Sequence, residues 1–233
     1  MHDVLDFVVL ISAGTEWQAL LPHFPDAQLT TTPFGDFFQT KIDGSPIIFI
    51  HAGWGKVSTA GATQYAIDRW QPRLMVNLGT CGGFEGLVDL NAILLADETV
   101  IYDIIEGMSD YEQAIQKYTT TADLTWLGED IPKSIIRTKL LSADRDIRPQ
   151  DVPMLIKEFD GIAADWESGA FAWVAERNQV DWLVLRGVSD LVSASHGEAL
   201  ENVVLWQQRT TPIMAQLLDF LPWVIKRYRE THE

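Results

Sequence analysis

With 233 residues, 47% of them hydrophobic and nine of them tryptophan, the chain has material for one good core and too little for two, so a single domain spanning 1–233 is expected. The formal net charge of −16 argues against nucleic acid as a partner, because phosphate backbones are held by clustered Lys and Arg. One cysteine, Cys81, cannot form a disulfide within the chain, the apolar run 7–14 follows Asp3 and Asp6 with no Lys or Arg before it, and no stretch approaches a membrane span; a cytoplasmic protein with no membrane partner is expected.

Residues 7–12 (FVVLIS) are continuously apolar and β-branched, as in a strand buried on both faces. A short helix pattern follows and ends at Pro22 and Pro25, so Glu16 falls just beyond the carboxyl end of a central strand, where it is also an ordinary acid of a helix start. Residues 37–42 and 46–51, joined by Asp43-Gly44-Ser45, read as a hairpin. In HAGWGKVSTAGATQ, Gly53 and Gly55 permit a tight turn from strand to helix, but GWGK lacks the spacing of a nucleotide phosphate loop. Residues 74–78 are the next buried strand, expected to deliver a glycine-rich bend, Gly79-Thr80-Cys81-Gly82-Gly83, whose backbone a ligand can approach closely. Strands are expected at 92–102 and 138–143, the second leading into Asp144, Arg145, Asp146, Ile147 and Arg148, with an irregular acidic stretch at 103–134 between them.

The stretch 161–190 (GIAADWESGAFAWVAERNQVDWLVLRGVSD) is read as two strands of one parallel sheet joined by a helix that opens on Glu167. That arrangement brings Glu167 and Asp190 to the carboxyl edge of the sheet, where open α/β sheets bind ligands. Two carboxyls there suit acid-base chemistry on a polar small molecule; each is also a residue that helix starts favour. The last helix is expected to begin at Thr211-Pro212. His196, in the loop after Asp190, has no companion at metal-ligand spacing, and no metal site is expected.

ADWESGAFAWV followed by WLVLRGVSD, together with NLGTCGG and GKVSTAGATQ, resembles the nucleoside phosphorylase and nucleosidase superfamily, and most nearly its methylthioadenosine/S-adenosylhomocysteine nucleosidase branch. The resemblance implies a three-layer α/β/α domain around a mixed, largely parallel sheet and cleavage of the N-glycosidic bond of a purine nucleoside, with no cofactor. It implies Asp190 as the acid at the base, Glu167 on the ribose hydroxyls, Glu16 as activator of the attacking water, and Arg186 and Thr80 holding that water. Trp166, Ile147 and Ser189 complete the substrate-binding set, and a homodimer or higher homo-oligomer is implied as well. Two departures matter. Asp146 stands where the family places an aromatic residue against the base, which opens the possibility of another base, as in a futalosine-type substrate. Asn77 stands where phosphorylases of the superfamily usually carry Arg, and Lys41 is the only Lys or Arg from Asp6 to Asp43, so water is favoured over phosphate as the nucleophile. A phosphorylase and a non-catalytic nucleoside-binding protein are the remaining alternatives.

Overall fold

A computed structural model describes residues 5–128 and 131–232. In chain order its elements are β1 (Phe7–Ile11), α1 (Gly14–Leu20), β2 (Thr30–Thr31), β3 (Asp36–Ile42), β4 (Ser45–His51), α2 (Gly55–Trp70), β5 (Leu74–Phe84), β6 (Ile93–Ile101), α3 (Tyr111–Gln116), β7 (Thr119–Thr121), β8 (Ile135–Ser142), α4 (Val152–Phe159), β9 (Ala163–Asp165), α5 (Ser168–Arg177), β10 (Asp181–Val192), α6 (Glu198–Glu201) and α7 (Val203–His232).

The apolar run of β1 serves two cores at once because successive strand residues point to opposite faces. Phe7, Val9 and Ile11 pack with Trp17 and Leu20 of α1 and with Ile213, Leu217 and Leu221 of α7. Val8 and Leu10 pack on the other side with Ala62 and Ala66 of α2 and Phe171 and Val174 of α5. The result is the expected three layers of helix, sheet and helix. Each large side chain so buried contributes about 1.5–3 kcal/mol. β1 pairs in parallel with β4 and β5, and β5 in parallel with β10; β3 turns back on β4 as the expected hairpin. Among the described residues no helix is long and apolar enough to cross a membrane.

Three expectations are corrected. The glycines after Leu78 do not bend away: β5 continues through Phe84, its second half held between β10 on one side and β9 on the other. The ladder satisfies those backbone groups, and this outweighs the poor strand propensity of glycine. The strands flanking α5 are not parallel to each other. β9 runs antiparallel to β5 while β10 runs parallel to it, and the circuit β5, β10, β6, β8, β9 closes on itself at this end of the sheet. Finally, the last helix starts at Val203, so Pro212 and Pro222 both lie inside it. Pro212 leaves the carbonyl of Gln208 without its helical donor, but Gln208 is exposed to water.

Candidate active site

At the carboxyl edge of the sheet a cavity of ≈ 460 Å³ is lined by residues from α1, β5, β9, β10, the loop after β8, the turns before α2 and α5, and α6 and α7. That volume suits a small molecule. Of the residues singled out from the sequence, Glu16, Thr80, Ile147, Trp166, Glu167, Ser189 and Asp190 all line it; Arg186 does not. His196 bonds Ser193 and lies outside the lining. Among the described residues no group of three or more His, Cys, Asp or Glu is placed to hold a metal ion.

Glu16 occupies the first turn of α1, where its Oε2 accepts from the Ala13 N–H at 3.1 Å. It is more than a helix-start acid, because it is only 4% exposed and reaches across to β5. There its Oε1 accepts from the Thr80 amide at 2.6 Å and from the Thr80 hydroxyl at 2.8 Å. Burial pushes its carboxyl above the ordinary range, opposed by the Arg186 charge and by the Thr80 bonds. The approach requires glycine at 79, since a Cβ there would lie 2.9 and 3.0 Å from the two carboxylate oxygens. Gly79→Ala is therefore expected to lower kcat/KM by at least about tenfold through displacement of a group held within hydrogen-bond reach of its partners. Circular dichroism should remain native, and unchanged kinetics would contradict the placement.

Arg186 lies beneath the cavity floor, 1% exposed. Its Nε donates to Asp165 at 2.6 Å and its guanidinium also donates to the side chain and backbone oxygens of Asn77. Asn77 in turn donates to the Leu10 carbonyl at 2.9 Å, tying β5 to β1. Arg186, expected to help hold the attacking water, is not among the lining residues and reaches the cavity wall through its bond to Asp165. Its Nε, Nη1 and Nη2 donate to Asp165, Asn77 and Leu185, and its charge offsets those of Asp165, Glu16 and Glu167.

Glu167 is the residue just before α5, and its Oε1 accepts from the Gly55 amide at the head of α2 at 3.0 Å. Burial, then the nearby Asp165 and Glu16, push its carboxyl up to about 8. The folded chain therefore binds a proton that the unfolded chain, at the ordinary value of 4.5, has released. By linkage the stability this group contributes is fully present below that value and is lost as pH rises toward 8. Glu16 and Asp190 are raised too and act in the same sense. The unfolding free energy of the ligand-free protein should fall between pH 5 and 8, with a smaller slope in Glu167→Gln, and equal slopes for the two proteins would contradict the shift.

Ser189 and Asp190 are consecutive in β10, yet both line the cavity. A register shift explains this: Val188 pairs with Cys81 and Asp190 with Gly82, leaving Ser189 as the extra residue of a bulge. The Ser189 Oγ lies 2.7 Å from Asp190 Oδ1 and 3.1 Å from the Cys81 carbonyl. Burial raises the Asp190 carboxyl, against the bond from Ser189. A Cβ on Gly82 would come within 2.6 Å of Ile147 and 3.5 Å of Asp190, so the bare backbone lets both close on the same spot. Asp146 joins them in the lining, and Trp166 faces Trp54 across 6.5 Å between ring centroids.

The cover of the cavity was not expected from the sequence. Leu200, Val203 and Trp206 line the cavity from α6 and α7, and the Trp206 indole donates to the Thr80 hydroxyl at 3.0 Å. Arg209 clamps this segment to β10, donating to the Ser189 carbonyl at 3.0 Å and to Glu198 at 2.7 Å. The spacing of three between Leu200, Val203 and Trp206 was the available signal.

A mixed α/β sheet with a carboxylate-lined cavity at its carboxyl edge, formed where the sheet closes, defines a small-molecule site of the nucleoside phosphorylase type. The chain belongs to the phosphorylase superfamily, whose model matches residues 6–219. It is 28% identical over 206 residues to the 5'-methylthioadenosine/S-adenosylhomocysteine nucleosidase of Maridesulfovibrio salexigens, covering 82% of this chain and 88% of that protein. In fold it is similar to the Helicobacter pylori nucleosidase of the same name, solved with butyl-thio-DADMe-Immucillin-A (TM-score 0.78, 18% identity, 94% of this chain and 100% of that one). It is as similar to the futalosine hydrolase of Helicobacter pylori (TM-score 0.78, 19% identity, 95% and 100%).

Proposed function

We propose that the protein is an N-ribosyl hydrolase that cleaves the N-glycosidic bond of a purine nucleoside of the methylthioadenosine or S-adenosylhomocysteine type, releasing free base and free sugar. The observation that carries water as the nucleophile is the lining itself. Among the described residues it holds Glu16, Asp146, Asp165, Glu167 and Asp190 and no Lys, Arg or His, and the Arg186 guanidinium lies outside it, bonded to Asp165 and Asn77. A phosphate dianion needs charge-assisted donors and is repelled by such a wall; water is not.

In this reading Asp190 donates its proton to N7 as the bond breaks and negative charge moves onto the base. The Ser189 hydroxyl has a single proton and two close oxygens, and the carbonyl of Cys81 can only accept. Given to Asp190 Oδ1, that proton leaves Oδ2 to carry the acid's own, which burial holds on the carboxyl and which supports its role as the acid. Glu167, which carries a proton in the ligand-free protein, holds the ribose hydroxyls and, once that proton is released, offsets the positive charge growing on the ring. Glu16 takes a proton from water as the hydroxide adds to the anomeric carbon, and exchange with solvent returns a proton to Asp190. Thr80 and Arg186 act on that water through Glu16, while Trp166 and Ile147 pack on the substrate. A base other than adenine is the second reading, favoured by Asp146 in the lining where the family has an aromatic residue.

A homodimer or higher homo-oligomer belongs to this proposal, supported by exposed apolar side chains at Trp54, Val57, Ile105 and Met108. So does a cytoplasmic setting, supported by the free thiol of Cys81. The test is chromatography of products from methylthioadenosine, S-adenosylhomocysteine, adenosine, inosine and futalosine. Adenine from the first two supports the principal reading, hypoxanthine from futalosine supports the second, and no turnover of any of the five contradicts both.

A further inference from the structure

We propose that Trp206 is a positioning residue for the water-activating carboxylate: its indole N–H fixes the Thr80 hydroxyl so that the single hydroxyl proton is donated to Glu16. The inference rests on the reading of Glu16 as the base, and adds to it a residue from the far end of the chain.

A threonine hydroxyl has one proton, two lone pairs and a free rotor, so its direction is set by its neighbours. Here the neighbours are two. The Trp206 Nε1, at 3.0 Å, can only donate. Glu16 Oε1, at 2.8 Å, can only accept when ionised. The indole therefore occupies a lone pair, and the proton has one destination. Together with the amides of Thr80 and Ala13, the hydroxyl gives the buried carboxylate a third directed donor. Such donors favour the ionised form, the form a general base requires. The chain of bonds runs from α7 through β5 to α1, three elements that meet only in the folded cavity. Thr210 and Arg209 hold the tryptophan's turn of helix in place, the former by a 2.7 Å bond to the Trp206 carbonyl and the latter by its clamp on Ser189. The charged and titratable groups facing Glu16 are Arg186 on β10, Glu167 at the head of α5 and the Cys81 thiol on β5. Trp206→Phe leaves all three in place.

The decisive measurement is the pH profile of kcat/KM for wild type, Trp206→Phe, Thr80→Val and the double variant. Phenylalanine keeps an aromatic ring in the wall and removes the donor, so the acid limb should move up by about one pH unit. The loss at pH 5 should then be about tenfold larger than the loss at pH 9. In the Thr80→Val background the same change should produce no further movement of the limb. A loss of equal size at every pH, or shifts that simply add in the double variant, would show a packing role and overturn the proposal. In the wild-type protein the ¹⁵N–¹H signal of the Trp206 indole should titrate with the acid limb, and it should lose that titration in Thr80→Val; a pH-independent signal in wild type would also overturn it. Glu16→Gln separates the two levels. If it turns over normally, the base assignment and this proposal fail together; if it is inactive while Trp206→Phe retains the wild-type limb, only the role of Trp206 fails.

Discussion

Asp190→Asn is expected to lower kcat by about 10²–10⁴-fold, the range contributed by a positioned general acid, with the fold intact. Asparagine matches the carboxyl in shape and can still hydrogen-bond, but it cannot deliver a proton to the leaving base. The substitution also removes a group whose ionised form is disfavoured by burial, so the thermal midpoint should be unchanged or raised at neutral pH. Steady-state turnover of methylthioadenosine, with circular dichroism as the control, checks it. Near-normal kcat in a folded variant would remove Asp190 from the chemistry.

The second large effect is expected at Arg186, and it separates stability from activity. Arg186→Met leaves Asp165 buried, with its side chain 1% exposed, and without its cation. Breaking one side of such a pair costs about 3–5 kcal/mol, read as the shift of the urea midpoint. Replacing both partners, as Arg186→Met with Asp165→Leu, should recover much of that stability because no unpaired charge remains. Activity should not return. Glu16 loses the charge that opposes its burial, and Ser168 loses the carboxylate that accepts from its amide and hydroxyl at the start of α5. Full activity in the double variant would show that the pair serves only the fold.

Much of this site was legible in the chain because strand ends are legible. FVVLI, LMV and WLVL are apolar without alternation, and whatever follows such runs in an α/β protein reaches the ligand edge. Glu16, Thr80 and Asp190 were placed that way and Glu167 from the short edge 162–165, while their roles came from the family resemblance. Strand direction was not legible. The three residues of β9 carry no pattern that distinguishes parallel from antiparallel, and their pairing is decided by the long β5 ladder at Gly82 and Gly83. The depth of Arg186 was hidden for a related reason, since its partner Asp165 reads as part of the DWES motif until the sheet closes and sets the two 2.6 Å apart. Trp206 was obscured by Pro212, which reads as a helix start although the helix passes through it. The bulge at Ser189 follows from pairing with Cys81 and Gly82, a contact more than a hundred residues away in the chain.

In the proposed reaction water, not phosphate, takes the ribosyl group. Methylthioadenosine incubated with the enzyme in rigorously phosphate-free buffer, and again with millimolar phosphate, tests it most directly. Free adenine and free methylthioribose are expected at equal rates in both buffers. Turnover confined to the phosphate buffer, with a sugar 1-phosphate as product, would contradict it.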